Sequence, residues 1–417
     1  MTGYILFSFY LIIFLILFYF LGRKTLAWLS LWQSSGIFLF KVLLGCLYGY
    51  IFLHVYGGDD TWNFFQDSIP EKEKLFHHPL EFIRDFLPRA AFAEAHSFSE
   101  GISFYLRNLE YWIIVKSLAV FNILSFNNYY IDVVFFEFMT IWGSILLLKL
   151  LGSYFPDKRK FLIISIFFIP SIGFWLSGIR AEAMILMSLA IILFYTRSYL
   201  QKKEWKSLIW VVLAFIGFLI FRIQYLVIFL PAYACWLLTY SRKRKAARVY
   251  PLVYGAGLLI FIISLWISPD RNLASPMVRA QQDFMALHGN TRLPLDSLKA
   301  TVSGFVEVLP QAFANVFLRP WITEARGALQ VFSALEIMVC WLLLPCLIFF
   351  PSSERSAVWQ QPLIQLYIYY GFTQMLIIGF LVPFPGAIVR YKAIPEILLI
   401  ISIGLSIDWN FLHKRKL

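Results

Sequence analysis

Charge is scarce in this chain. Of 417 residues only 14% are Asp, Glu, Lys or Arg, where a water-soluble domain carries about a quarter. Too little polar surface remains to cover the molecule in water, which excludes a cytosolic enzyme, a disordered regulator and a secreted scaffold. Cysteine is equally sparse. Cys46, Cys235, Cys340 and Cys346 all lie in apolar runs and form no CxxC pair, so neither a zinc site nor a disulfide framework is indicated. Acids are fewer than bases, 24 against 36, and the resulting net charge of +12 would raise the question of nucleic acid in a soluble protein. In an apolar chain the same excess reads as basic cytoplasmic loops, and no nucleic-acid partner is expected. There is also no repeat of fixed period, no low-complexity linker and no inverted pair of short broken segments of the kind seen in many secondary transporters.

What is present is oil. Hydrophobic residues make up 60% of the chain and aromatics 19%, with 43 Phe and a mean hydropathy of +0.72. Apolar runs long enough to cross the bilayer, alone or with snorkelling ends, lie near 4–22, 36–55, 131–151, 161–177, 180–196, 207–222, 224–240, 251–268, 330–351, 363–382 and 391–409. The expected fold is therefore an all-α polytopic membrane protein of about eleven spans, eleven or twelve, forming a single integral-membrane domain over 1–417 in a lipid bilayer. The first run lacks a basic leader and a small-residue cleavage site, and reads as a retained span rather than a signal peptide.

Charge then sets the orientation. Arg23-Lys24, Lys158 to Lys160, Arg197 to Lys206, Arg242 to Arg248, Arg355 and Lys414 to Lys416 hold eighteen Lys and Arg against Asp157, Glu204 and Glu354. Those connections are expected inside, which puts the N-terminus and residues 56–130, 269–329 and 383–390 outside. Tyr111 to Phe126 is apolar, but counting it as a span would expel the basic loops that follow. With Lys116 at its middle it reads as an interfacial or re-entrant helix, the twelfth-span alternative costing a local violation of the charge rule. Two long external segments with amphipathic or interfacial helices, and short inner loops, direct attention to the outer face.

Ionisable groups at membrane depth are functional candidates by default. His54-Val-Tyr-Gly-Gly-Asp59-Asp60 ends the second span in a glycine turn. Its acids could take a proton from an acceptor hydroxyl or hold a divalent cation, or could simply cap the next helix. Pro170-Ser-Ile-Gly-Phe-Trp-Leu-Ser-Gly-Ile-Arg180-Ala-Glu182 turns back into the membrane with an arginine at a helix start, where the dipole disfavours a cation unless an anion meets it. A surface Arg180–Glu182 pair is the bland reading, weakened because residues two apart do not share a helical face. Arg222 and Gln224 occupy a tight turn between two spans and could snorkel to headgroups. Arg390-Tyr391-Lys392, near the start of the last span, could grip a phosphate or anchor in the aromatic belt, and Glu396 needs a partner that Lys392 can supply. His77, His78, Glu94 and His96 fit no closed zinc spacing. Leu80, Ile83, Phe86 and Leu87 suggest a helix over Pro79 to Ala95 lying on the bilayer, and Asp283, His288, Arg292, Asp296 and Glu307 receive no role.

Taken together, Gly57-Gly58-Asp59-Asp60, the Pro-Ser-x-x-Phe-Trp-x-Ser-Gly turn before Arg180 and Glu182, and Arg390-Tyr391-Lys392-Ala-Ile-Pro-Glu396 resemble the GT-C superfamily of integral-membrane glycosyltransferases. The layout is similar to bacterial members of the protein mannosyltransferase and aminoarabinose transferase group. The resemblance implies transfer of a sugar from a polyprenyl phosphate or diphosphate donor to a glycan, lipid or protein acceptor, at the periplasmic face of a bacterial inner membrane. It implies Asp60, less strongly Asp59, as catalytic carboxylate, with Arg180, Arg390, Lys392 and Arg222 as ligands of the lipid phosphate and Glu182, Tyr391, Glu396 and His54 in support. An extra span before the acidic loop, Arg at 180 where relatives carry Lys, and Asp-Asp in place of Asp-Glu depart from the pattern. Asp60, Arg180 and Arg390 would then surround one groove open to the outer leaflet. The rival readings are a polymerase or ligase for lipid-linked polysaccharide, which depends on arginines rather than an acid, a transporter or flippase for lipid-linked or anionic solutes, and a membrane scaffold without activity.

Overall fold

The computed structural model describes residues 2–26, 29–88, 92–93, 97–242, 245–268, 272–289 and 291–409. Among them there are helices and turns and no strand, apart from one isolated bridge between Pro351 and Ile407. The chain forms two compact units, one of Met1–Phe168 with Gly173–Leu226 and one of Ile169–Ile172 with Val227–Leu417. The protein is a helical membrane protein: eight of the described helices are long and apolar enough to cross a bilayer.

The first unit contains α1 (Thr2–Gly22), α2 (Leu31–His54), α3 (Asp60–His77), α4 (Pro79–Arg84), α5 (Phe98–Ser125), α6 (Tyr129–Tyr154), α7 (Arg159–Ile163) and α9 (Ala181–Lys202). Its axis is α6, which presents apolar residues in all directions around a few buried polar ones and is 78% buried along its most hydrophobic window, as a helix surrounded by helices should be. Around it pack α1, α2, α5 and α9. By contrast only 11% of α1 is buried, and Tyr4, Ile5, Phe9, Ile12, Ile16 and Phe20 stand exposed. Such a surface needs lipid. Against α6, α2 approaches so closely that a Cβ on Gly49 would sit 2.3 Å from the Tyr129 ring, the small-residue contact that membrane helices use to bring backbones together.

The apolar stretch that resisted assignment lies within α5, a helix of 28 residues that packs along α3. Lys116 is 3% exposed and meets Glu71 at 2.6 Å and Asp85 at 2.9 Å beneath the Phe82 ring, which explains how a lysine survives in the middle of an oily run. Asn122 donates to Ser68 at 2.7 Å one turn along the same interface. The helix expected over Pro79 to Ala95 begins as α4, which ends at Arg84 with Asp85 as its cap, and residues 89–91 and 94–95 lie outside the described residues. Leu80 and Ile83 are exposed, but Phe82 between them is buried.

Eight described helices are long and apolar enough to cross a bilayer against the eleven runs expected, and the difference has three local sources. The run at 161–177 is broken into α7, a wide π turn (Ile164–Phe168) and α8 (Pro170–Trp175), since Pro170 has no N–H to continue the ladder. The two runs at 207–222 and 224–240 both lie in α10 (Lys206–Arg242), as two helical stretches separated at the expected turn by Arg222, whose φ of −161° and ψ of 85° are non-helical. The run at 391–409 starts earlier, as α17 (Pro385–Gly404), and Arg390, Lys392 and Glu396 make it too charged to qualify on composition.

In the second unit α11 (Ala246–Ser264), α12 (Ser275–Ala286), α13 (Val302–Phe317), α14 (Ala328–Phe349) and α15 (Arg355–Gln360) precede α16 (Pro362–Leu381) and α17. The last two form a hairpin that gathers α13 and α14 about it, with Ala312 and Val316 of α13 seated against Gly379. We expect Gly49→Val to lower unfolding stability by about 1–3 kcal/mol through overpacking, while Gly255→Val, which meets open space, leaves it nearly unchanged. Thermal unfolding in detergent would read the difference as a drop in Tm for the first variant alone.

Candidate functional site

The site grows from a turn. Gly57 and Gly58 adopt φ of +78° and +117°, a left-handed path that side chains resist, and they let the chain leave α2 and enter α3 within a few residues. Asp59 then caps α3, accepting from the Thr61 N–H at 3.1 Å, while Asp60 is the first helical residue and is exposed. The two neighbouring acids therefore part company. The second oxygen of the Asp59 carboxylate accepts from the Tyr48 hydroxyl at 2.6 Å and from Arg180 Nη1 at 3.1 Å.

Arg180 is the centre of the cluster. It stands just before α9 with extended backbone (φ −137°, ψ 137°), so its side chain is not bound by helical spacing. Its Nε donates to Glu182 at 3.3 Å, and both side chains are 2% exposed. The expectation that residues two apart would not pair is corrected here, because the spacing rule holds only once both residues are inside a helix. The same guanidinium donates to the Tyr48 hydroxyl and lies 4.8 Å over the Tyr48 ring, with Trp175 at 6.0 Å. One of its donors, Nη2, is buried and makes no hydrogen bond among the described residues. A buried guanidinium N–H without an acceptor costs on the order of 1–3 kcal/mol, more for a charged group, and is a direction in which an anion would be stabilised.

Arg222 extends the network. It meets Glu110 of α5 at 2.5 Å and reaches Glu182 at 4.0 Å, so it does not snorkel away from the protein, and its non-helical backbone in α10 goes with that inward role. The result is a chain of alternating charge: Asp59, Arg180, Glu182, Arg222, Glu110. His54 stands apart at the exposed end of α2, its ring 4.5 Å from Tyr50.

Behind the Arg180 turn lies a second pair that the sequence reading passed over. Lys41 of α2 and Glu137 of α6, 3.6 Å apart and both buried, reach up to the segment before Arg180. Lys41 donates to the Leu176 carbonyl, and the Gly178 N–H donates to Glu137 at 2.5 Å. Gly178 itself has φ +79° and touches Gly45 of α2, so the turn is held by contact below and by two charges beneath it. The signal was present in the sequence: a lysine and a glutamate each inside a run otherwise fit to span the membrane. Tyr48 and Glu110 carried no comparable signal.

Arg390, Tyr391, Lys392 and Glu396 belong to the second unit. Lys392 and Glu396 pair at 3.1 Å, as their spacing on one helical face requires, and both are nearly buried. Arg390 and Tyr391 are half-buried. They sit inside α17, one full turn past its start at Pro385. In the same unit Glu336 of α14 accepts from the backbone N–H and the hydroxyl of Ser171, at 2.8 and 2.5 Å. His77 pairs loosely with Glu73 at 3.7 Å on an exposed surface, His78 ends α3, and Glu94 and His96 lie outside the described residues. Among the described residues no three His, Cys, Asp or Glu side chains converge to hold a metal ion, and Asp59, half of the suggested cation site, is already engaged. No protein-family model, curated protein or solved structure matches the chain.

Removing the charge of Lys41 alone leaves Glu137 buried without its cation. We expect Lys41→Met to destabilise the first unit by about 3–5 kcal/mol, and the double variant Lys41→Met with Glu137→Gln to recover most of that loss. Chemical or thermal unfolding of the single and double variants checks the sign.

Proposed function

We propose that the protein is a membrane glycosyltransferase that takes a sugar from a polyprenyl phosphate or diphosphate and transfers it to a glycan, lipid or protein acceptor on the external face. The observation that carries this reading is the buried Arg180 guanidinium with one donor left over, held by Asp59, whose neighbour in the chain, Asp60, is exposed. The reaction asks for those two properties. Attack on the anomeric carbon needs a base to take the proton of the acceptor hydroxyl, and the leaving phosphate needs a fixed cation as its negative charge grows.

In this reading Asp60 is the base and Asp59 is not. Both Asp59 oxygens are already engaged, one by the Thr61 N–H and the other by the Tyr48 hydroxyl and Arg180. The role of Asp59 is to orient Arg180. Nη2 of Arg180 then faces the lipid phosphate, while Arg222, held by Glu110, sets the position of Glu182 behind it. A single displacement by this route inverts the anomeric centre. Arg390 and Lys392 remain candidate phosphate ligands of the second unit, Lys392 with Glu396 as its neighbour.

The sidedness belongs to the same proposal: residues 56–130 and 269–329 outside, basic loops inside, in a bacterial inner membrane. A membrane-impermeant maleimide on intact cells should label Ser303→Cys and spare Glu204→Cys in a chain otherwise free of cysteine. The opposite pattern would overturn the assignment of the active face. For the chemistry, purified protein in liposomes is given polyprenyl-linked sugars and loss of sugar from the lipid is followed by mass spectrometry. Asp60→Asn should lower kcat by about 10²–10⁴, the range supplied by general base catalysis. Arg180→Gln should lower kcat/KM by a comparable factor through the leaving group. Transfer that survives Asp60→Asn but not Arg180→Gln would favour a polysaccharide polymerase or ligase, which works through arginines.

A further inference from the structure

Within the second unit, the segment after α12 and the turn before α14 enclose a cavity of about 360 Å³, within the size range of small-ligand sites. Its charge is unbalanced. Arg292 and Arg326 both line it, and the acid that lines it, Glu324, is occupied: one oxygen accepts from the Trp321 N–H at 3.1 Å and the other faces Arg319 at 3.4 Å. Among the described residues no acid pairs with either Arg292 or Arg326, so two positive charges face one concave space, where low-dielectric walls concentrate their field.

The cavity is also built rather than incidental. Arg292 is fixed from behind, one terminal nitrogen donating to the carbonyls of Met285 and Leu287 at 2.6 and 2.8 Å, with its guanidinium 5.3 Å from the Phe384 ring centroid. The adjoining Leu293 N–H donates to the Pro383 carbonyl at 2.7 Å, tying this extended stretch to the entry of α17. Gln330 donates to the hydroxyl of Thr291 at 3.1 Å and accepts from the backbone N–H of Arg326 at 2.8 Å, which links the two arginine-bearing segments. Three prolines stiffen the lining, and Thr291 and Thr323 add hydroxyls to it.

Two guanidinium groups beside hydroxyls and a side-chain amide suit a ligand that carries an anionic group on a polyhydroxylated ring. We infer that this cavity binds an acidic saccharide, its carboxylate or phosphate held by Arg292 and Arg326 and its hydroxyls by Thr291 and Thr323. That this saccharide is the acceptor rests on the glycosyl-transfer reading, whereas binding at the cavity does not.

The test is binding to full-length protein in nanodiscs by calorimetry, with digalacturonate and glucose 6-phosphate as anionic probes and maltose and inorganic phosphate as controls. At least one anionic sugar should bind more tightly than both controls, and which of the two does so tells carboxylate from phosphate. Arg326→Gln, on an exposed side chain, should weaken that binding at least about tenfold, the loss of one charge-assisted contact, and Thr323→Val should weaken it several-fold without altering charge. Equal binding of inorganic phosphate and the anionic sugars, equal binding of maltose, no binding at all, or affinity unchanged in Arg326→Gln or, should that variant not fold, in Thr323→Val, would overturn the inference. Because no transfer is measured, its failure is separate from failure of the proposed enzymatic activity.

Discussion

The first unit is arranged around one costly group, the buried guanidinium of Arg180. A cation taken out of water is tolerated only when acids and hydrogen-bond acceptors meet it, and here Asp59, Glu182 and Tyr48 do so from three different parts of the chain. Each partner is itself constrained. Asp59 must also cap α3, which fixes the glycine turn before it; Glu182 must begin α9, where a carboxylate is favoured by the helix dipole; and Tyr48 must lie on the face of α2 that carries Gly45 and Gly49. The ends of three helices are thereby registered by one side chain.

Beneath that group, Lys41 and Glu137 act on the backbone instead of on another side chain. Their contacts with the Leu176 carbonyl and the Gly178 N–H replace the hydrogen bonds that the broken segment from Ile164 to Ile179 cannot make for itself. Irregular backbone at membrane depth is tolerated when it is enclosed by protein and its polar groups are satisfied. The break in the expected span at 161–177 and the buried ion pair are thus parts of one arrangement, with Arg180 at its end.

The second unit handles charge differently. Lys392 and Glu396 neutralise one another along a single helix, and Glu336 caps the short helix at Pro170 through Ser171. Among the described residues no acid pairs with Arg292 or Arg326, which lie on segments that connect its helices. The contrast fits a division between helices that bury paired ions for stability and connections that offer unpaired ones to a ligand.

By itself the sequence determined the all-helical membrane class, the glycine turn ahead of the two acids and the Lys392–Glu396 pair, and it singled out Arg180 and Arg222 as candidates, because hydropathy, glycine conformation and helical spacing act over a few residues. It could not decide which of Asp59 and Asp60 would turn inward, that Arg180 and Glu182 would pair, or that Tyr48, Glu110, Lys41 and Glu137 would join them. Most of those outcomes depend on contacts between residues from 40 to 135 positions apart, such as Arg222 with Glu182 and Lys41 with the Leu176 carbonyl, that only packing brings within reach of a charge. Tertiary structure also broke the expected span at 161–177 into short pieces, since a proline changes the path of a helix without altering its composition.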